Sequence, residues 1–565
     1  MSVVEKVSAL AEALESQPLP PIWITRLTRR ELLDRAAEVD RTPELPLSGL
    51  TFAVKDNIDI AGIPTTAGCP AFSYTTHESA PAAQLLLDAG AVLVGKTNMD
   101  QFATGLTGAR SPHGACSSIF NERYISGGSS SGSAVAVASG LVDFSLGTDT
   151  AGSGRVPAAF NNLIGMKPTR GWLSTRGVVP ACRSLDCVSI FTKTPELALK
   201  VLRQAHRFDP QDPYSRSTRT GEDAAPWANG PFRFGVPQDA ELQFFGDTEA
   251  ARLFDQAVRK LHAIGGERVE IDYSKFRNAA SLLYAGPWVA ERLAAIEGFL
   301  KSHYDDMNPV VRDIIRGGRE YSAVDAFRGE YELRELCRQA ESEWNKVDVL
   351  ALPTTGTIFT HEQVAAEPVQ RNSDLGYYTN FVNLMDLAAV AVPAGFRPNG
   401  LPFGISLIGA AHSDEALLGL ASRFLSSDKP LIAGHPGCIA VAVVGAHLTG
   451  QPLNHQLMSR GARLVKTTRT AHAYRLYALT GTKPLKPGLV SEPGFAGPGI
   501  EVEVWAMAED KFGGFVAEIP APLGIGNVTL EDGSSVKCFI CEPYALASAQ
   551  EVTQFGGWRR YLASL

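Results

Sequence analysis

Serines, a lysine and a cluster of backbone amides are the groups in this chain whose types and spacing could do chemistry. Ser126 to Pro157 reads SGGSSSGSAVAVASGLVDFSLGTDTAGSGRVP: it opens with eight consecutive Gly or Ser residues and closes on a second Gly/Ser loop. Glycine-rich backbone can turn several N–H groups toward one point, which is how a loop leading into a helix collects an anion or a developing oxyanion. A flexible linker is the plain alternative, but linkers lack an apolar helix such as Ala134 to Ser139 and a buried-looking run such as Leu141 to Leu146. Lys55 follows Thr-Phe-Ala-Val and precedes Asp56 and Asn57. Drawn into a dry interior it would lose its proton easily and become a usable base, whereas at an open strand end it would stay a solvated ammonium.

Two literal motif matches fail on context. Gly90-AVLV-Gly95-Lys96-Thr97 has the letters of a phosphate loop, but its four variable residues read as a strand, not as the loop itself. Gly128-Ser129-Ser130-Ser131-Gly132 has the letters of a nucleophile elbow, but NERYIS before it is a poor strand. Cys538 and Cys541 make one CxxC inside a strand-like run with no second pair, so they read as buried apolar residues and no metal site is expected.

The elements that must position these groups alternate between α and β. Residues 1 to 40 show helical spacing and 41 to 49 are broken by proline; Leu50 to Val54, Ala91 to Val94 and 231 to 237 read as strands, and Pro81 to Gly90, Ala198 to Ala205 and Thr248 to Ile264 as helices. Lys275 to Asn345 reads as almost entirely helical, an inserted layer over one end of a sheet. VDVLALP (347–353) and AAVAVP (388–393) look like buried parallel strands stopped by proline, and LPFGISLI (401–408) completes the set. After a polar break at 426–437 the remaining residues carry strand-like runs such as EVEVWAM and VKCFICE between Gly/Pro turns, predicting a second, mainly β domain.

Composition narrows the partners. The chain has 565 residues, 45% of them apolar and 20% charged, and a net charge of -8 without long runs of one sign. This is the profile of a soluble globular enzyme of two to four domains that takes a small molecule and neither nucleic acid nor membrane. Eight scattered cysteines and an N-terminus that reads as an acidic amphipathic helix, not a signal peptide, predict a reducing cytoplasm.

At GGSSSGSAVAVASG (127–140) and GTDTAGSGRVPA (147–158) the sequence resembles the amidase signature family, with support from VKDNIDIAGIPTTAG (54–68), GKTNMDQF (95–102), LIGMKPTRG (163–171) and LPFGISLIG (401–409). The resemblance covers roughly 20–425. It implies an α/β/α sandwich with a mixed central sheet, and a Ser-cisSer-Lys triad of Ser153 as nucleophile, Ser129 as bridging serine and Lys55 as base. The oxyanion would be held by N–H groups of Thr150, Ala151, Gly152 and Ser153, Ala151 standing where the family usually has glycine. No histidine and no cofactor is required, because a neutral lysine can take the serine proton through an intervening hydroxyl.

Within the family, YAGPWVAER (284–292) followed by the long tail resembles the allophanate hydrolases. That resemblance implies a catalytic domain over 1–430, with its N-terminal helical segment at 1–45 and helical insertion at 275–345. It also implies a gamma-glutamyl-cyclotransferase-like domain over 438–565, a homodimer, a link to a urea carboxylase and hydrolysis of allophanate in urea degradation. A substrate that is urea bearing a carboxylate needs a planar cation, and Arg292 is the candidate; Tyr284, eight residues earlier, would share its helix face. In the tail, Gly445 to Gly450 is the candidate ligand loop, and His472 and Glu503 are candidate acid/base groups. The competing readings are another amidase or the glutaminase component of a tRNA-dependent amidotransferase, with the tail as an assembly module.

Overall fold

The computed structural model describes residues 2–16, 21–217, 225–228, 230–426, 438–460 and 462–565. These divide into two compact units, Met1–Leu425 and Ser426–Leu565. Most of the polar break at 426–437 lies outside the described residues.

The first unit is built on one eleven-stranded mixed sheet. Its strands are β1 (Trp23–Arg26), β2 (Thr51–Lys55), β3 (Val92–Thr97), β4 (Phe144–Asp149), β5 (Ile164–Lys167), β6 (Cys187–Thr192), β7 (Phe232–Pro237), β8 (Gly266–Ile271), β9 (Val349–Pro353), β10 (Leu387–Phe396) and β11 (Pro402–Ala410). In space they run β1-β3-β2-β4-β6-β5-β10-β11-β9-β7-β8. Side chains alternate between two apolar layers, as a period-2 strand dictates. Phe52, Val54, Leu146, Ile190 and Val390 face helices Pro81–Asp88, Pro195–Ala205, Thr248–Ala263 and Asp414–Ser426, while Ala53, Val94, Phe191 and Ala391 face helices Val3–Ser16, Arg29–Val39 and Ser131–Ala138. The result is a sheet between two helical layers, with the insertion helices Ser274–Ala285 and Ala323–Trp344 packed on Leu350, Leu352 and Ala389 at one end.

Three local expectations change. The run read as helical over 1–40 is interrupted by β1, a four-residue antiparallel partner of β3 whose WITR is too short to show a period against its helical flanks. β10 does not stop at Pro393 and has no parallel partner among the described residues: it continues to Phe396 and pairs antiparallel with β5 and β11. The proline sits at a register shift between Pro393 and Gly395, where its missing N–H breaks no regular ladder. NERYIS is a strand after all, Asn121–Ile125, but in a two-stranded ribbon with Ser117–Ser118 outside the main sheet.

The second unit is smaller and sheet-rich. Strands Arg463–Arg469, Glu501–Ala508, Cys438–Val443, Ser535–Cys541 and Leu523–Thr529 form a five-stranded sheet in that spatial order, and Tyr474–Ala478 lies between Pro487–Ser491 and Gln550–Glu551 in a three-stranded one. Its own core gathers Val441, Val443, Leu476, Val502, Val504, Trp558 and their neighbours. No helix among the described residues is long and apolar enough to cross a membrane.

Candidate active site

Helix Ser131–Ala138 explains why small residues crowd the signature stretch. A Cβ on Gly132 would lie 2.3 Å from the Ile22 carbonyl and 2.7 Å from the Asn98 amide, so only glycine lets the first turn press against the backbone beside β3. That contact fixes the loop leading into the helix. There the Gly128–Ser129 peptide is cis, with the Gly128 N–H donating to the Leu106 carbonyl at 2.8 Å and the Ser129 carbonyl accepting from the Asp100 N–H at 3.1 Å. β4 delivers the second loop, Thr150 to Arg155, beside it, and β2 ends on Lys55.

These three segments bring the expected hydroxyls and amine into one chain of contacts. The Lys55 amine nitrogen lies 2.8 Å from Ser129 Oγ, and Ser129 Oγ–H points to Ser153 Oγ at 2.9 Å. Lys55 Nζ also lies 2.7 Å from Thr148 Oγ1, a neighbour that nothing in the spacing signalled. All three triad residues are buried. Burial pulls the lysine down to about 7, against the opposing pull of Asp100, Asp186 and Asp149 and with some help from Arg292. With the amine neutral the two hydroxyls can turn along the same contacts, so that Ser153 Oγ–H donates to Ser129 Oγ and Ser129 Oγ–H to Lys55 Nζ, a path for the Ser153 proton near pH 7. Ser130, the nucleophile an elbow would need, instead donates to the Thr148 carbonyl at 3.1 Å, and Lys96 is held by Pro64 and Asp56 inside the sheet edge.

Of the four expected oxyanion donors, three are open. Thr150, Ala151 and Ser153 N–H groups have no acceptor among the described residues, but Gly152 N–H donates to Asp149 Oδ1 at 2.9 Å and is spent. Asp149 is the anchor of the loop: its other oxygen accepts from Gly154 N–H at 3.0 Å, and Arg155 grips both oxygens at 2.9 and 3.0 Å. Burial alone would raise this carboxyl; the Arg155 guanidinium, with Lys167 and the Gly154 N–H, holds it below the usual range. Asn383 completes the support, donating to the Asp149 carbonyl at 2.7 Å. Neither Arg155 nor Asn383 stood out in the sequence, because a buried pair has no period or motif of its own.

Tyr284 and Arg292 meet, though not by the expected route. Gly286 and Pro287 end helix Ser274–Ala285 and start helix Trp288–Ser302, so the two residues sit on different helices. The bend still places the Arg292 guanidinium 5.2 Å from the Tyr284 ring centroid, with Nη2 3.4 Å from the phenol oxygen and Nη1 3.3 Å from Thr104 Oγ1. Arg292 is 2% exposed, forms no ion pair among the described residues, and its Nε has no hydrogen-bond partner.

In the second unit the structure separates the expected groups. His472 is exposed, its Nδ1 bonded to the Gly497 carbonyl. Glu503 is buried and fully engaged: it accepts from Thr449 N–H at 2.8 Å, Thr449 Oγ1, Trp505 Nε1 and Arg559, and thereby holds one end of the 445–450 loop. The loop itself lines a cavity of about 150 Å³ together with His447, Gln456, Lys483, Lys486 and Glu518. His447 had not been a candidate; it stacks on Phe539 and contacts Gln456 Oε1 at 2.8 Å, and burial lowers its pKa. Its signal was its place inside the glycine loop, GAHLTG.

The chain matches the family model described as Amidase over residues 9–418 and that described as Allophanate hydrolase C-terminal domain over 439–563. It is 44% identical to the urea amidolyase of Saccharomyces cerevisiae over 98% of its own length and 32% of that protein's, so it spans about a third of that relative. A solved allophanate hydrolase of Kluyveromyces lactis superposes with a TM-score of 0.72 at 42% identity, covering all of this chain and 96% of that one. A glutamyl-tRNA(Gln) amidotransferase subunit of Halobacterium salinarum is 33% identical over 67% of this chain and 95% of its own. With the first model matched across the whole sheet unit, the second across the tail, and the serine–serine–lysine contacts in place within the first, the chain belongs to the amidase family and carries an allophanate hydrolase C-terminal domain.

Proposed function

We propose that this chain hydrolyses allophanate at its terminal amide. The observation that carries the reading is Arg292: a guanidinium buried beside Tyr284 and Thr104, with no carboxylate partner among the described residues and an unpaired Nε, is a site lacking its anion. Burying an unpaired cation is costly, and a planar carboxylate on the substrate would offset that cost through paired N–H···O bonds.

With the carboxylate held there, Ser153 Oγ attacks the amide carbon as its proton moves through Ser129 to Lys55. The oxygen that becomes negative lies against the N–H groups of Thr150, Ala151 and Ser153. Lys55 returns the proton to the leaving nitrogen, ammonia departs, and water releases the acyl group from Ser153 as N-carboxycarbamate. The cavity around His447 and the two lysines supports a second task for the tail, taking this dianion toward loss of carbon dioxide. Since the chain spans about a third of the urea amidolyases it resembles, carboxylation of urea is assigned to a partner or a further segment, a urea carboxylase. A cytoplasmic homodimer accords with the family; light scattering tests the dimer.

The test is ammonia release from a panel of allophanate, malonamide, glutamine and an aryl amide. Allophanate should be preferred by at least about tenfold in kcat/KM, the lower worth of a charge-assisted hydrogen bond. Preference for glutamine would move the chain to the amidotransferase reading, which the 33% identity to an amidotransferase subunit makes the one alternative worth including.

A further inference from the structure

Asp186 takes no part in the proton path, yet it touches the same loop. It stands just before β6, is 5% exposed, and pairs with no cation among the described residues. Its Oδ1 accepts a short hydrogen bond from the Thr150 hydroxyl and a longer one, 3.3 Å, from Cys182 N–H, while Oδ2 accepts from Ala181 N–H at 2.9 Å. The loop that carries the open donors is therefore tied at two places: Asp149 holds Gly152 and Gly154, and Asp186 holds Thr150.

We propose that Asp186 is a positioning residue for the hydrolysis: through the Thr150 hydroxyl it fixes the amide donors at 150, 151 and 153 against the oxyanion. The proposal rests on reading Ser153, Ser129 and Lys55 as an amide-cleaving centre. Burial raises Asp186 to about 6, against its hydrogen bonds from Thr150, Cys182 and Ala181 and the pull of Arg292, so it carries its charge at neutral pH.

Mutation tests the tie from both ends. Thr150→Val removes the hydroxyl that Asp186 holds, so kcat should fall about tenfold to a hundredfold, and Thr150→Ser should recover a large part of the loss. Asp186→Asn weakens the same tie from the other side, so it should bring a comparable fall in kcat while KM for malonamide changes little. Both effects should be equal on malonamide and allophanate, since neither residue reads the carboxylate; a wild type active on malonamide alone would overturn the allophanate assignment while leaving this comparison intact. Wild-type kcat in Thr150→Val, or a Thr150→Ser variant no better than Thr150→Val, overturns the proposal. If Asp186→Asn does not fold, the Thr150 pair decides the positioning claim alone.

Discussion

A hydroxyl of ordinary acidity becomes a nucleophile only when its proton has somewhere to go at the moment of attack, and here the receiving group is an amine held near neutrality by burial. Activity should accordingly rise with pH as Lys55 loses its proton, half-maximal at about 7, and a kcat/KM profile with no acid limb near neutrality would contradict a lysine base. Ser153→Ala, Ser129→Ala and Lys55→Ala should each fold and each lose about 10³-fold or more in kcat; because the three act as one unit, Lys55→Ala combined with Ser153→Ala should be scarcely worse than Ser153→Ala. Arg292→Ala should lose roughly tenfold to a hundredfold more kcat/KM on allophanate than on malonamide, the worth of a charge-assisted hydrogen bond of about 1.5 to 3 kcal/mol. Equal losses on the two substrates would make Arg292 a support of the fold.

At the scale of elements, two loops and a strand end must meet within hydrogen-bond distance, and the tightest point of that meeting is Gly128. Its Cβ would stand 2.2 Å from Asp100 Oδ2 and 2.4 Å from the Gly108 nitrogen, a backbone atom that itself donates to Asp100. The loop cannot retreat, since Leu106 and Asp100 hold the peptide groups on either side of the Gly128–Ser129 bond. Gly128→Ala should therefore move Ser129 off the line between Lys55 and Ser153, abolish activity, and cost about 1 to 3 kcal/mol, visible as a Tm lowered by several degrees. Full activity in this variant would show that the loop is softer than its contacts imply. The Gly286–Pro287 break is the second element-level device: an unbroken helix would carry Tyr284 and Arg292 along one axis, whereas the break lets two helices converge on the same space.

For the molecule as a whole, the two compact units invite separation. Each has its own core, and self-contained units usually survive a cut between them. A protein ending near Gly434 keeps Ser153, Ser129, Lys55, Tyr284 and Arg292 and should still cleave allophanate. If the tail processes the product, the first ammonia should appear at a near-normal rate while the dicarboxylate accumulates, visible by carbon NMR, until the separate tail is added. Release of both nitrogens on one time course by the shortened protein would make the tail an assembly module.

Neighbouring residues alone specify the features that depend on local chemistry: the glycine-and-serine stretch, the strand that ends in Lys55, the alternation of helices and strands, and the family these belong to. Propensity and period act over such short stretches and are legible in them. Which amides stay open was settled by packing, because Gly152 is spent on Asp149, and so were the carboxylates that oppose the burial of the lysine, because Asp100, Asp149 and Asp186 come from three separate segments. Packing likewise put His447 at the tail's cavity and left His472 exposed, and it brought Tyr284 and Arg292 together across a helix break where spacing had placed them on one helix. Distances between residues far apart in the chain are set by how the layers interlock, and that fit is a property of the whole core that no short stretch encodes.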